Sequence, residues 1–474
     1  MPGFKVSGAV GFALACGLGA WAIAATIKPH APAAGPEAAR ATGGLPKFAD
    51  FGQLPPPSSF TPDRVFRLSA DYPAVKPRIE PEVTKILAID YTKDWRGYMD
   101  AVLDYVLQGN IENRSVGEAF FLEDNHVRRW YHVPWQQWGD DGREGLHGLT
   151  AEGPVNPYVL SPQQSHAWQT YAVGFYNDLG GYEIGRVWAD PQNPRIDVVE
   201  RDGGFPVGTV VAKLLFTTTP VAEAPFLSNP IEWNAYTKLT YNAPGPTGLP
   251  ITPRQLSTVR LIQVDMMVRD ERANATGGWV FGTWVYNGRQ TKFVNRWRNL
   301  VPVGLMWGND PKVTSYKQGN PAPTRTLTNP DLRQTIINAN DPALPPMHLG
   351  FGLRLSGPVD NTLSSCKSCH SAAEYPAISP ILAFLAQKDG RPLRCTDPEW
   401  MLWFRNLGPT EPFDKQAQAT DNSLQLSGSI QNFITAKSIR EGGLYAVQYW
   451  HGRPVLSIYG ERGIVPAGAA PCSQ

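Results

Sequence analysis

A chain of 474 residues is long for one compact domain, and length alone suggests two or three. Its 43 basic and 42 acidic residues leave a net charge of +1, so no field of one sign exists to hold nucleic acid or an anionic membrane surface. With 45 Gly, 44 Pro and 15 Trp but only 18% charged residues, the composition favours short strands, many turns and long surface loops over long helices.

At the amino end, Lys5 and the α-amino group form a short positive region, followed by 22 uncharged residues from Val6 to Ile27. Ala22-Ile23-Ala24 has the small-x-small form that signal peptidase reads, and a Pro/Ala-rich stretch follows. A run of this length can also span a bilayer, so residues 1–27 are either a cleaved signal peptide or a retained N-terminal membrane anchor. Cys16 lies inside this run, behind a poor lipoprotein box. Both alternatives deliver the body of the protein to a bacterial periplasm.

Residues 28–60 read as an irregular Pro/Ala-rich tether. A helix is predicted over 94–107, where Trp95, Met99, Val102 and Val106 recur at helical spacing. An aromatic, polar stretch over 119–150 holds Trp130, Tyr131, His132, Trp135, Trp138 and His147. Residues 182–188, 208–217, 258–268 and 278–286 are rich in Val, Ile, Phe, Tyr and Thr between Gly, Pro, Asn and Asp clusters, which predicts strands. Within the third of these, Ile262, Val264 and Met266 alternate with Gln263 and Asp265, the pattern of a strand with one wetter face. A Pro/Thr/Asn-rich loop runs over 316–346, and short helices are predicted near 378–387, 398–406 and 426–436.

Cys366-Lys367-Ser368-Cys369-His370 is a C-x-x-C-H motif, the attachment signature of c-type haem. Two thiols three positions apart can add to the two vinyl groups on one porphyrin edge, and the adjacent histidine is then delivered to the iron. With 5 Cys and 8 His in the chain, chance would supply roughly 0.001 such motifs, so the match carries weight. A zinc half-site would need two more ligands at short spacing, and no second C-x-x-C or nearby H-x-x-x-H is present. A thioredoxin-like redox pair would not need the trailing histidine. The expected cofactor is one covalent haem c, attached at Cys366 and Cys369 with His370 on the iron.

The remaining cysteines, Cys395 and Cys472, are either a disulfide that pins the C-terminal tail or two free thiols. For the sixth iron position the candidates are Met347, His348 and Met401, with an open distal site as the other arrangement. Met401 lies in Trp400-Met401-Leu402-Trp403-Phe404, where a core methionine fits equally well. The spacings of His126, His132, His147 and His166 match no compact ligand set.

Phe205-Pro206-Val207-Gly208-Thr209-Val210-Val211-Ala212-Lys213 resembles the FPxGTxxxK strand of the β-sheet monohaem cytochromes, the group of the c′-beta cytochromes and the lysine-cross-linked hydroxylamine-oxidising cytochromes. Gly277-Gly278-Trp279-Val280-Phe281-Gly282 resembles their GxWxF strand, and the haem motif follows in the same order. The likeness covers about 181–373, with long insertions. The chain after the leader is also similar to a larger family of proteobacterial secreted cytochromes, through Trp130 to Trp135, His147 to Thr150, Gly304 to Asp310 and Gly357 to Asn361. The first resemblance implies an antiparallel sheet with haem against it, iron held by His370 alone, and a distal pocket for small nitrogen species. It matches Lys213 to the strand lysine that bonds to the porphyrin in the hydroxylamine oxidisers; a solvent-facing lysine or a partner for a haem propionate are the other readings.

The expected fold class is α+β: a central antiparallel β-sheet domain with long loops and a few short helices, and the haem near its C-terminal part. The expected division is 1–27 leader, 28–60 tether, 61–180 loop and helix region packed on the core, 181–375 β-rich cytochrome domain and 376–474 C-terminal helical wrap. Three functions remain open. One is electron transfer with a redox partner protein. Another is haem chemistry on a gaseous or nitrogenous ligand, drawing on aromatics such as Trp279, Phe281 or Phe216. The last is a haem-bearing accessory subunit of a redox enzyme.

Overall fold

The computed structural model describes residues 47–112, 120–138, 142–239, 253–290, 292–314, 322–332, 349–441, 449–450 and 453–454. They belong to one compact unit, Gly43–Gln474. The leader lies outside the described residues, and among these no helix is long and apolar enough to cross a membrane.

Its centre is an eight-stranded antiparallel sheet. In chain order its strands are β1 (Thr150–Ala151), β2 (Thr170–Tyr176), β3 (Val210–Thr217), β4 (Glu232–Thr237), β5 (Gln255–Arg269), β6 (Trp279–Tyr286), β7 (Leu300–Met306) and β8 (Thr326–Thr328). The spatial order is β1-β2-β3-β5-β6-β7-β8, with β4 also paired to β5. β5 is the longest strand and holds the sheet together, since β3, β4 and β6 all hydrogen-bond to it. Every residue of β6 is buried, because both faces of the sheet are covered. The α+β expectation holds at this level, and the sheet begins at Thr150, ahead of the expected boundary at Gly181.

One face packs against α2 (Trp95–Leu107), which follows the short helix α1 (Pro81–Ala88) and whose Tyr98, Met99, Val102 and Val106 are buried. Asp94 caps this helix by accepting from the Gly97 amide at 3.0 Å. Gly282 of β6 lets the ends of Met266 and Met99 approach its backbone, where a Cβ would collide with the Met266 methyl. The other face carries Val211, Lys213 and Leu215 beside Asp265, Met267 and Phe281, by the registers of β3, β5 and β6. The alternation read in β5 is therefore real, but its polar side looks into a cleft rather than bulk water: Gln263 is fully buried.

Two local expectations fail. Residues 182–188 are not a strand; they complete a helix, α3 (Asp178–Val187). Asn177 caps it through the Gly180 amide, and Leu179, Glu183, Ile184 and Val187 form its buried stripe, which overrides the β-branched and aromatic bias of the run. Residues 378–387 form only a 3-10 turn at Ala383–Leu385, as Pro376 and Pro380 disfavour helix on either side of Ile378. Residues 398–406 do form a short helix, of the 3-10 type, over Pro398–Phe404. The last helix is longer than expected, Leu424–Arg440.

Glu183 of α3 is buried, and its Oε1 accepts no hydrogen bond among the described residues. Burial pushes its carboxyl from 4.5 up to about 7, against the pull of Arg186 at 3.8 Å. A folded-state value above the unfolded one means that stability is lost as pH rises from about 4.5 through 7. Glu183→Gln removes that loss. Thermal melts are expected to show it more stable than wild type by on the order of 2 kcal/mol at pH 8 and little changed at pH 4.

Candidate haem cleft

The C-x-x-C-H motif forms a single helical turn, α4 (Cys366–His370). Ser365 caps it with a reciprocal pair: its Oγ accepts from the Ser368 amide at 3.1 Å, and its own amide donates to Ser368 Oγ at 2.7 Å. The cap is tied to the sheet side by Ser365 Oγ donating to Asn309 Oδ1 at 3.0 Å. Helical spacing then puts Cys366, Cys369 and His370 on one side of the turn. All three line the cleft over the β3–β5–β6 face.

This cleft encloses about 1340 Å³, counting the part open to solvent. Its apolar walls come from Val211, Leu215, Met267 and Phe281 of the sheet and from Ile381 and Leu382 opposite. Gly174 of β2 admits the side chain of Gln425, whose Nε2 a Cβ would strike. The Tyr176 and Ser423 hydroxyls, 2.8 Å apart, fasten the segment before the last helix to the sheet.

Behind the motif, His370 Nδ1 donates to the Asn422 carbonyl at 2.8 Å. That bond selects the tautomer with its lone pair on Nε2, the nitrogen that would meet iron. The His370 ring also lies 5.2 Å from Phe281, centre to centre. Asp421 and Asn422 both hold left-handed backbone, with φ of 45° and 63°. A buried set keeps them there. The Asp421 carboxylate accepts from Trp279 Nε1 and the Phe205 amide, each at 2.7 Å, and lies 3.8 Å from Arg269 Nε. Burial raises the Asp421 carboxyl to about 6, opposed by Arg269 and these two donors.

On the sheet side, Lys213 pairs with Asp265 at 3.0 Å. Gln263 Nε2 bridges two carboxylates, donating to Asp265 Oδ1 at 2.7 Å and Asp360 Oδ2 at 3.2 Å. Burial, then the Asp265 charge, raises the Asp360 carboxyl. Cys366 feels the same surroundings: burial first, then Asp360 and Asp265, push its thiol well up. A neutral thiol of this kind is unlike the low-pKa thiolate of a redox-exchanging pair.

The chain matches no family model, no curated protein and no solved structure.

The cleft thus brings Lys213, far earlier in the chain, to the Cys366, Cys369 and His370 of the motif. Phe281 joins them, whereas Trp279 is engaged with Asp421 and Phe216 stacks on Trp233 at 4.0 Å. Met401 is half-buried in a satellite core with Trp400, Trp403 and Phe404 and is not part of the cleft wall. Met347, His348 and Cys472 lie outside the described residues; Cys395 is disulfide-bonded. His132, His147 and His166 sit apart, on Ser69, Asn234 and Glu223 respectively. Burial drops His132 to about 3 and His147 to about 4, so both are neutral at ordinary pH.

Proposed function

We propose that this protein is an exported c-type cytochrome that carries one haem in this cleft and passes electrons to or from a redox partner protein in the periplasm. Cys366 and Cys369 would hold the porphyrin through thioethers, and His370 would bind the iron. The haem, when bound, supplies a one-electron couple. The observation that carries the reading is the His370–Asn422 bond: an imidazole whose Nδ1 is committed to a backbone carbonyl, in the same cleft as both thiols. The uncharged run at the amino end supports export, and the strand resemblance supports a haem laid against a sheet.

A second reading has its own support. Lys213, Asp265 and Asp360 give the cleft polar groups that a pure carrier does not require, and they suit a small gaseous or nitrogenous ligand on an iron held by His370 alone. The visible spectrum of the full chain, matured in a host that attaches haem c, separates the two. Covalent haem that stays with the denatured chain is expected. A ferrous spectrum unmoved by carbon monoxide or nitric oxide supports the carrier, and one that shifts supports ligand chemistry. A chain that stays colourless, or loses its haem on boiling in denaturant, refutes both.

A further inference from the structure

Between the two cysteines sits Lys367, fully buried. Its Nζ donates to Asn422 Oδ1 at 3.2 Å, and the backbone carbonyl of that same residue receives His370 Nδ1. The geometry points to Lys367 as a positioning residue for His370 and, with Arg269, as a fixed positive charge that favours the ferrous state of the haem. This inference rests on the haem reading of the cleft.

Three observations carry it. First, a buried ammonium is costly, and an apolar side chain of similar volume in its place is often neutral or stabilising, so a spacer with only a packing role would be apolar. Second, the surroundings are shaped for the lysine. Gly277, at φ 109°, leaves the space in which a Cβ would collide with Nζ, and the Phe281 ring lies 5.9 Å from Nζ and 5.2 Å from the His370 ring. Asn422 holds a backbone conformation that L residues rarely adopt, and it therefore needs to be held by its neighbours.

Third, the charges behind the motif do not cancel. Lys367, Arg269 and Asp421 are all buried, two cations against one carboxylate. Water screens such charges poorly, so with haem bound the Lys367 charge would act on the iron, opposing Asp265 and Asp360 across the cleft. With haem bound, a one-electron donor would supply the electron that takes ferric iron to ferrous, with no bond made or broken in the chain. Losing one positive charge at the iron is easier beside a fixed cation than without it.

The test is Lys367→Met in the full chain, read by redox titration and by the iron–histidine stretching frequency of the ferrous form. The variant is expected to keep its covalent haem. Its reduction equilibrium is expected to move at least tenfold toward ferric, about 59 mV for one electron, with a lower stretching frequency from a weaker Nδ1 bond. An equilibrium within twofold of wild type and an unchanged frequency would overturn the inference while leaving the haem reading intact. Should Lys367→Met fail to fold, Asn422→Gly keeps the backbone conformation and removes the acceptor, and the same frequency is read. If the wild type itself carries no haem, the haem reading fails instead. The positioning role is then read from His370 ring-nitrogen NMR in the haem-free chain, where Lys367→Met must weaken the Nδ1–H tautomer or the role is refuted.

Discussion

Serine at both Cys366 and Cys369 is expected to yield a colourless protein with the wild-type circular dichroism. Both thiols are half-buried at the edge of the apolar cores, on a turn whose cap is made by Ser365 and Ser368, so the turn itself does not depend on the sulphur atoms. An oxygen in place of each is expected to cost no more than about 1 kcal/mol, as at most sites without a special structural role. The cofactor has much more to lose. Without thioethers only the His370 bond and apolar contacts would remain, and a non-covalent haem in an open cleft washes out on purification. Serine at one cysteine alone should leave a single thioether and an unsaturated vinyl, which extends the ring's conjugation and moves the ferrous absorption to the red. A double variant that still holds haem in denaturant would sink the attachment proposed at these positions.

Asp421→Ala is the most damaging single change expected outside the cleft lining. It strands the buried indole N–H of Trp279 and the buried Phe205 amide, and takes the carboxylate from buried Arg269, which keeps its bonds to Asn274 Oδ1 and the Gly278 carbonyl. Breaking a buried charge pair costs roughly 3–5 kcal/mol, and these losses overlap rather than add. Alanine also tolerates φ of 45° poorly. A loss of about 4 kcal/mol in denaturant titration is expected, a large share of the 5–15 kcal/mol typical of a domain. Asp421→Asn keeps an acceptor for one of the two donors, and its loss should be less than half as large. Equal losses would mean that the carboxylate charge, and not its two hydrogen bonds, holds the segment.

What could be read in advance follows from the range over which each signal acts. The C-x-x-C-H motif is a spacing of five residues, and α2 declares itself through Asp94 and a periodic apolar face; both are local. Lys213 was legible because its strand carries a distinctive run. Asn422 was not, since its contribution to the site is a backbone carbonyl, which any residue type could offer. Asp265 and Asp360 meet only through the fold, bridged by Gln263, and the alternation around Asp265 could not distinguish a cleft from open solvent. The α3 segment misled for the opposite reason: its strand-like residues begin inside the helix, past the Asn177 cap that determines its state.

On the haem reading proposed above, the hydrogen bond from His370 to Asn422 would also impose an order of assembly. A chain exported amino end first would present the complete sheet and the Cys366–His370 turn while residues 420–425 were still to come. At that stage the cleft would lack Ser423, Leu424 and Gln425, and His370 would have no carbonyl to fix its ring. A porphyrin could then be laid against β3, β5 and β6 without having to pass a finished wall. The last helix would follow, latching Tyr176 through Ser423 and holding the histidine from behind. Loading would then precede closure, because the latch is encoded downstream of the seat.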